Sequence, residues 1–445
     1  MGAARAPGTA HLPRIIVVGG GAGGLELITR LGRKLGARGR AALTLVDKSP
    51  THIWKPLLHE VAAGSLDAST DQLEYAAQAR WHDFQFQQGP LLSIDRQQRC
   101  ITVGQVVDDE GMEILPQRRL QWDLLVLAIG SVTNFFNIPG ARENAFAIDS
   151  APQAEHFRRR MIAACMRAQA GLSEEGRRPD VDIVIIGGGA TGVELSAELR
   201  NTAHVLRAYG LHALDPQRDV HITLVEAGPR ILAPLPERLA SDTARLLGEL
   251  HIRILAGERV SEVTPTEVKT ASGKTLPADL TVWAGGILVA PILGEAGLPV
   301  NRLGQVKVRT TLQVEGENGI FAIGDCADCP WLGQDKAVPP RAQAAHQQAS
   351  FLLQQLEDYL AGRRLSEFRY RDHGSLVSLG RYDTVGNLMG RLVGRAVRVE
   401  GMLARLLYIS LYRQHLTALH GVTRMLLDWM VQWLRGKTRP RVKLH

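Results

Sequence analysis

Two glycine-rich loops carry the residues whose types and spacing point most directly to chemistry. Each follows a run of β-branched residues and has the spacing G-x-G-x-x-G, first at Gly19, Gly21 and Gly24 and again at Gly187, Gly189 and Gly192. The first glycine of such a loop permits a tight turn, the second lets the backbone approach a pyrophosphate, and the third lets the helix pack closely on its strand. The loop amides and the helix N-terminus hold the phosphates. Two loops of this kind in one chain predict two bound dinucleotides.

An acidic residue ends the strand that follows each loop. Asp47 ends the apolar run from Leu43, and Glu226 ends the run from Val220. A carboxylate at this place accepts hydrogen bonds from a ribose 2′-hydroxyl and repels a 2′-phosphate. Arg230 lies nearby, but Glu226 favours NAD over NADP in the second unit.

Buried strands and their helices must position these loops. Around the first loop we expect a strand from Arg14 and a helix over Leu25–Leu35, and around the second a strand from Val181 and a helix from about Val193. Further apolar runs occur at Trp122–Gly130, Ala278–Gly286 and Gly319–Asp325. This internal repeat predicts an α/β protein with two Rossmann-like domains, one inserted in the sequence of the other.

Longer stretches resemble the type II NADH:quinone oxidoreductases, which are single-subunit flavoproteins that do not pump protons, and especially their proteobacterial members. These stretches are Trp54–Gly64, Gly187–Leu199, Pro339–Gln347, His373–Leu379, Tyr408–Tyr412 and Arg439–His445. The resemblance implies a glutathione-reductase-like arrangement: an FAD-binding domain in two parts (12–145 and 293–375), an NADH-binding domain (146–292) and a C-terminal region of amphipathic membrane-anchoring helices (376–445). One departure is Trp283-Ala-Gly-Gly286, where the family commonly has a second alanine. No CxxxxC pair lies on the first helix, so no active-site disulfide is expected.

The resemblance also implies which residues hold the two nucleotides. For FAD they are Gly19, Gly21, Gly24, Asp47, Lys55, Ala128, Gly130, Gly324 and Asp325. For NADH, which is a substrate, they are Gly187, Gly189, Gly192, Glu226, Ala284 and Gly285. The implied activity is that of a respiratory NADH dehydrogenase, with hydride transfer from NADH to FAD and then two-electron reduction of a membrane quinone to quinol.

Four side chains are the main candidates for catalysis, and a fifth is a weaker one. Glu194 comes two residues after the last glycine of the second loop, and we expect it on the first turn of its helix, facing the nicotinamide; Glu198 is a weaker candidate one turn further on. Gln343 and Gln347 are four apart, so on a helix both amides share a face with His346 beside them. Amide donors suit a quinone carbonyl, and a titratable neighbour can relay protons to the reduced ring.

The positive charge is concentrated at the C-terminus. From Gly401 onward there are eight Lys and Arg residues against one Asp, and the whole chain has a net charge of +7. No nucleic-acid motif accompanies this charge. Apolar residues recur at helical spacing at Leu419, Val422, Leu426, Trp429 and Trp433, with a companion stripe at Leu403, Leu406, Leu407 and Leu411. We therefore expect a peripheral protein on the anionic phospholipid of the inner membrane's cytoplasmic face, without a spanning helix; a homodimer is compatible with the sequence.

Two alternative functions remain open from the residues. A sulfide:quinone oxidoreductase would share the fold and use cysteines such as Cys165 and Cys326, but should not need an intact second loop with Glu226. A non-enzymatic flavin-binding redox sensor would dock partners through the basic tail. Cys326 and Cys329 have the CxxC spacing of a metal or redox site, although a tetrahedral metal would need two more ligands. No metal is expected; if one is bound, Cys326 and Cys329 are the candidate ligands.

Overall fold

The computed structural model describes residues 12–171, 180–212, 214–378, 384–389 and 396–400, together with 417, 419, 427, 430 and 431. Packing divides the chain into two compact units. Unit 1 consists of Met1–His52, Leu73–Ser131 and Val289–Tyr370, and unit 2 consists of Ile53–Gln72, Val132–Leu288 and Arg371–His445. The domain boundaries expected from the sequence follow ligand binding rather than packing, and they stay a prediction.

The bounds of the elements within the described residues are as follows. The helices α1–α10 are Ala22–Leu31, Leu58–Ala63, Ala68–Asp71, Tyr75–Trp81, Ala141–Asn144, Ala151–Ala170, Ala190–Ala208, Glu237–Glu249, Ile292–Glu295 and Ala342–Leu360. The strands β1–β14 are Arg14–Val18, Ala42–Asp47, Thr51–His52, Leu73–Glu74, Gln85–Gln88, Leu91–Asp95, Cys100–Val103, Val106–Val107, Glu113–Leu115, Arg118–Gln121, Leu124–Leu127, Val132–Thr133, Ala145–Ala147 and Val181–Ile186. The strands β15–β27 are Val220–Glu226, Ile252–Ala256, Val260–Val263, Glu267–Thr270, Thr275–Pro277, Leu280–Trp283, Ile287–Leu288, Val306–Lys307, Ile320–Ala322, Ala327–Asp328, Gly374–Ser378, Thr384–Met389 and Ala396–Glu400.

Unit 1 is built on a parallel sheet with the order β23-β11-β1-β2-β5. Its central strand β1 is a run of Ile and Val, and Val17 pairs with Leu45 on one side and Val126 on the other. All three of these side chains are fully buried, as expected for a parallel sheet covered on both faces. The strands β1, β2, β11 and β23 therefore end at one edge of the sheet, and the loops that follow them meet there.

Unit 2 repeats this plan with the order β13-β20-β14-β15-β16. Its central strand β14 pairs in parallel with β15 and β20. The antiparallel sheet β17-β18-β19 and the pair β12-β21 also belong to this unit, as do the described parts of the sheet β25-β26-β27. The two parallel sheets confirm the α/β fold with Rossmann-like sheets that the repeat predicts.

Both loop helices begin earlier than the apolar pattern suggests. Gly21 and Gly189 are the N-caps of α1 and α7, each with extended backbone and no side-chain cap. Each helix therefore begins directly after the second glycine of its loop, and the third glycine lies within the first turn. Hydrophobic periodicity could not reveal this start, because the first residues of both helices are Ala, Gly and Thr.

The C-terminal prediction falls mostly outside the described residues. That applies to Val422, Leu426, Trp429 and Trp433 of the first stripe and to the whole companion stripe. Of the described helical residues, Leu419 is fully buried, whereas Leu427, Met430 and Val431 are 54%, 50% and 38% exposed. In the described part of the chain we find no helix with the length and apolar character needed to span a bilayer.

Candidate functional site

The glycines of the first loop have the three different environments that a pyrophosphate cradle requires. A Cβ on Gly19, whose φ is +102°, would lie 2.2 Å from the Ala128 oxygen, and one on Gly24 would lie 1.9 Å from the Gly19 oxygen. A Cβ on Gly21 would meet no protein atom within 4 Å. The first and third glycines are therefore required by packing, and the second leaves open space beside an uncapped helix N-terminus. These residues fit a dinucleotide phosphate.

Three side chains hold Gly20, the residue between the first two glycines, in place. Its N–H donates to Asp47 Oδ2 at 2.6 Å, while its carbonyl oxygen accepts from Tyr75 Oη at 2.8 Å and His52 Nδ1 at 2.9 Å. Burial lowers the pKa of His52 to about 4, so the ring is neutral and Nδ1 carries its hydrogen. Tyr75 and His52 thus both donate to the carbonyl oxygen of Gly20.

The loops after the other strands of the sheet in unit 1 carry the remaining residues predicted to bind FAD. Gly130 follows β11 with φ +68° and open space at its Cβ position, and Ala128 lies against Gly24. After β23, Asp325 Oδ2 accepts from Ser131 Oγ at 2.8 Å, and the N–H of Gly324 donates to Gln348 Oε1 at 2.7 Å. The structure thus brings the predicted flavin residues of unit 1 to one sheet edge, which is where α/β folds bind nucleotides.

Lys55 has a different setting from the other predicted flavin residues. It begins a 3₁₀ turn in unit 2, where its ammonium group lies 3.2 Å from Asp149 Oδ1. The other oxygen of Asp149 accepts the backbone N–H of Thr133 at 2.8 Å. Within unit 2, Lys55 therefore ties the segment before α2 to the strand β12.

The second loop reproduces the geometry of the first. A Cβ on Gly187, with φ +113°, would lie 2.7 Å from the backbone of Ala284, and one on Gly192 would lie 2.0 Å from the Gly187 oxygen. A Cβ on Gly189 would meet nothing within 4 Å. The same test therefore indicates a second cradle for a dinucleotide phosphate.

Glu226 closes the second loop from the end of β15. Its Oε2 accepts the N–H of Gly188 and its Oε1 the N–H of Gly228, both at 2.6 Å. Beyond β20, the N–H of Ala284 donates to Ile186 and the indole of Trp283 to the Gly285 oxygen. The acid at the strand end thus orders the loop, a role that sequence spacing alone does not indicate and that adds to the ribose contact predicted for it.

Glu194 is buried within unit 2 against helix α2. It is the fifth residue of α7, so the expected place on the first turn is wrong, because the helix begins at Ala190. Its Oε2 lies 3.7 Å from Nδ1 of His59, and burial lowers the pKa of His59 to about 4. The histidine is therefore neutral at physiological pH, and the contact is polar rather than an ion pair. Glu198 is also buried one turn further along α7.

Helix α10 carries the candidate quinone residues. Gln343 and Gln347 lie in its first two turns and are half-buried. His346 turns toward helix α1, where its Nδ1 lies 2.5 Å from Glu26 Oε2. The neighbouring Gln348 is buried against Gly324. Helix α10 therefore contacts the loop at Gly324 through Gln348, while Glu26 of α1 holds His346.

All four cysteines are free and buried. Burial raises the pKa of Cys165, Cys326 and Cys329 to about 12, so these thiols stay protonated and are poor nucleophiles. Cys326 Sγ donates to backbone carbonyls of Leu127 and Ile323. Among the described residues no group of three or more His, Cys, Asp or Glu could hold a metal ion. Cysteine chemistry of the sulfide-oxidising kind has no support here.

Four functional candidates were missed from the sequence: Tyr75, His52, Gln348 and Glu26. Glu26 had a usable signal, since it is a lone acid in the apolar run Leu25–Ile28, and acids are rarely buried without partners. Tyr75 and His52 follow no periodic pattern that connects them to Gly20.

Comparisons with known proteins agree with this geometry. The pyridine nucleotide-disulphide oxidoreductase family matches residues 13–349. A type II NADH:quinone oxidoreductase from Haemophilus influenzae is 40% identical over 446 residues, which cover 98% of this chain and 100% of that protein. A protein of the same name from Staphylococcus aureus is 29% identical over 381 residues, covering 85% of this chain and 90% of that one.

Solved structures share the fold. NDH2 from Plasmodium falciparum in complex with NADH has a TM-score of 0.80 at 19% identity, covering 97% of this chain and 100% of that chain. The sulfide:quinone oxidoreductase of Aquifex aeolicus has a TM-score of 0.70 at 18% identity, with 92% of each chain covered. At these identities the fold alone does not separate the two classes, but the sequence match does. With 40% identity across almost its whole length, the chain belongs to the type II NADH:quinone oxidoreductases, within the pyridine nucleotide-disulphide oxidoreductase family.

Proposed function

We infer that this protein is an FAD-dependent oxidoreductase that oxidises NADH and reduces a quinone to quinol without pumping protons. The observation that carries this inference is the pair of cradles, each with an open second glycine, in a chain 40% identical to a named type II NADH:quinone oxidoreductase. When bound, the flavin accepts the reducing equivalents of NADH and passes them on to the quinone. The protein binds and orients the reactants, and it excludes competing reactions.

The first test is steady-state turnover of the purified protein. NADH with a soluble quinone analogue should give rapid turnover, NADPH should be a poor donor because Glu226 repels its 2′-phosphate, and sulfide should give none. Turnover with sulfide, or binding of NADH without turnover, would favour the sulfide-oxidising or sensor alternative instead.

We further propose that Gln343 and Gln347 of α10 form the quinone headgroup site. Their amides are half-buried, four residues apart, on a helix that also touches the flavin loop through Gln348. An amide N–H can donate to a quinone oxygen, and this bond strengthens as the oxygen gains electron density.

Half-reactions timed separately by stopped flow test this site. Gln343→Leu and Gln347→Leu should leave flavin reduction by NADH intact and slow reoxidation by quinone. Gln354→Leu is the matched control, because Gln354 is an exposed residue further along the same helix. If flavin reduction slows and reoxidation does not, the quinone site lies elsewhere.

We propose that the C-terminal helical residues attach the protein peripherally to the cytoplasmic face of the membrane. Leu427, Met430 and Val431 are spaced three and four apart, so a helix places them on one face, and all three are exposed. The cations from Arg435 to Lys443 follow in the sequence and suit anionic headgroups. This exposed face differs from the predicted stripe, whose first member, Leu419, is buried.

Vesicle sedimentation separates the contributions of apolar burial and charge. Leu427→Glu with Met430→Glu should release the protein from anionic vesicles, whereas Met166→Glu, at an exposed methionine of α6, should not. Neutralising Arg435 to Lys443 should weaken binding only partly, because each cation near the surface is worth about 1 kcal/mol and is screened by salt. If the double glutamate variant sediments fully, the membrane contact lies on another face.

The side of the membrane is tested with membrane vesicles of either orientation. Inverted membrane vesicles, and not right-side-out ones, should oxidise added NADH.

A further inference from the structure

Glu26, a buried acid on α1, holds His346, which lies between Gln343 and Gln347 on α10. Glu26 on α1 has no exposed surface, and its Oε2 lies 2.5 Å from Nδ1 of His346 on α10. Its Oε1 accepts from Arg30 at 2.8 Å and from Ser350 at 3.4 Å. Arg30 also donates to Ser350 Oγ at 2.6 Å, so these four side chains form one network within unit 1.

The network determines the orientation of the imidazole. A carboxylate can only accept hydrogen bonds, so Nδ1 of His346 must carry its hydrogen toward Glu26. Nε2 lies on the opposite edge of the ring, and the side chain is 31% exposed. The ring therefore presents Nε2 away from the buried acid, on the helix that bears Gln343 and Gln347.

We propose that Glu26 is a positioning residue for His346 and that His346 Nε2 delivers a proton to the reduced quinone. This inference rests on the quinone site proposed above. The overall reaction is NADH + H⁺ + quinone → NAD⁺ + quinol, so NADH supplies two electrons and one proton, and a second proton must come from solvent. His346 takes that proton at Nε2, and the imidazolium then faces the Glu26 carboxylate. The Nε2–H bond breaks as the quinol O–H bond forms, and the ring returns to the neutral form with Nδ1–H still on Glu26.

Two side chains approach the Glu26 carboxylate closely, one from each of the two helices. Among the described residues, Arg30 approaches Glu26 from its own helix, and His346 approaches it from α10. An ion pair of Lys34 with Glu357, at 2.7 Å, joins the segment just after α1 to α10 and does not include His346. Neutralising Lys34 therefore removes an ion pair of the same interface without altering the histidine, which makes it a matched control.

The test is Glu26→Gln, examined by two measurements. Since Arg30 competes for the single amide oxygen, the amide NH₂ of Gln would face Nδ1 and drive the ring to the opposite tautomer, with hydrogen on Nε2. Histidine-selective ¹⁵N NMR of the holoprotein, with the signal assigned by His346→Asn, should show Nδ1–H in the wild type and Nε2–H in E26Q. Reoxidation by quinone should slow about 10- to 100-fold, which is part of the roughly 10²- to 10⁴-fold that a positioned general acid contributes. Flavin reduction by NADH should not change.

Three controls make the outcome decisive. Glu26→Asp keeps the carboxylate and should recover part of the reoxidation rate, while Lys34→Gln should leave both rates near those of the wild type. His346→Asn keeps a donor for Glu26 and lacks Nε2, so it should fold and lose reoxidation even where E26Q does not accumulate. An unchanged tautomer in E26Q, equal slowing in Lys34→Gln, or normal reoxidation in His346→Asn would overturn the proposal. If Gln343→Leu is slow and His346→Asn is normal, the quinone site stands and only this inference fails. If neither is slow, the proposed quinone site fails as well.

Discussion

Replacing the strand-end acids Glu226 and Asp47 by their amides, one at a time, tests which loop binds NADH and which binds the flavin. Both oxygens of Glu226 accept backbone N–H groups at 2.6 Å, and a glutamine at this place offers one oxygen and one NH₂. One loop amide, of Gly188 or Gly228, would then face a donor. A hydrogen bond to a charged group is worth about 1.5–3 kcal/mol, which corresponds to about a 10- to 150-fold change in an equilibrium constant.

We expect Glu226→Gln to weaken NADH binding within that range, because the loop must be ordered again when the ligand binds. NADPH should lose less affinity, since the charge that repels its 2′-phosphate is also gone, so the ratio of the two dissociation constants should narrow. Maximal rate should change less than affinity. Fluorescence titration of each nucleotide gives the ratio, and absorbance after gel filtration gives the flavin content, which should stay at the wild-type level.

Asp47→Asn is the matched variant in unit 1. Asp47 accepts N–H groups of Gly20 at 2.6 Å and Ser49 at 2.8 Å, so its loss should release flavin while leaving the NADH-to-NADPH ratio unchanged. An unchanged ratio in Glu226→Gln, or a changed ratio in Asp47→Asn, would refute the assignment of the two loops.

Three further predictions follow from the same geometry. Gly24→Ala should fail to yield folded protein, because its Cβ would lie 1.9 Å from the Gly19 oxygen, whereas Gly21→Ala, with open space, should fold but retain little flavin; soluble yield and flavin absorbance distinguish these results. Tyr75→Phe removes one of the two donors to Gly20 and should raise the flavin dissociation rate about 5- to 10-fold, in line with a net hydrogen bond of about 1 kcal/mol, with NADH affinity as the unchanged control. Burial lowers the pKa values of His52 and His59 to about 4, so between pH 6.5 and pH 4 the unfolded chain binds protons that the folded chain excludes. The free energy of unfolding should therefore be retained above pH 6.5 and fall toward pH 4, by about 3 kcal/mol for each histidine. Urea unfolding at several pH values measures this fall, which should be shallower in His52→Asn.

Residues with a local steric task were predictable from the sequence. The glycines at 19, 24, 187 and 192 each stand where a Cβ would clash with backbone atoms. The acids at 47 and 226 end the strand that lies next to the central strand of the sheet in each unit. Such tasks leave a fixed spacing in the chain, so the two parallel sheets and their loops followed from it.

Tertiary contacts between residues far apart in the chain were not predictable. Tyr75 reaches Gly20 across 55 positions, and His346 reaches Glu26 across 320, so no spacing relates them. Helix starts were misplaced because Ala, Gly and Thr carry no apolar period. The orientation of His346 toward α1 could not be read from the motif, since it depends on Glu26, a buried acid on another helix.

An anaerobic titration of the purified protein, followed by flavin absorbance, tests the central claim most directly. The claim is that one chain holds a flavin that NADH reduces and a quinone reoxidises. Stoichiometric NADH should bleach the flavin band, sulfide should not, and a soluble quinone added next should restore the band with formation of quinol. Bleaching by sulfide, no bleaching by NADH, or a reduced flavin that quinone does not reoxidise would contradict the account.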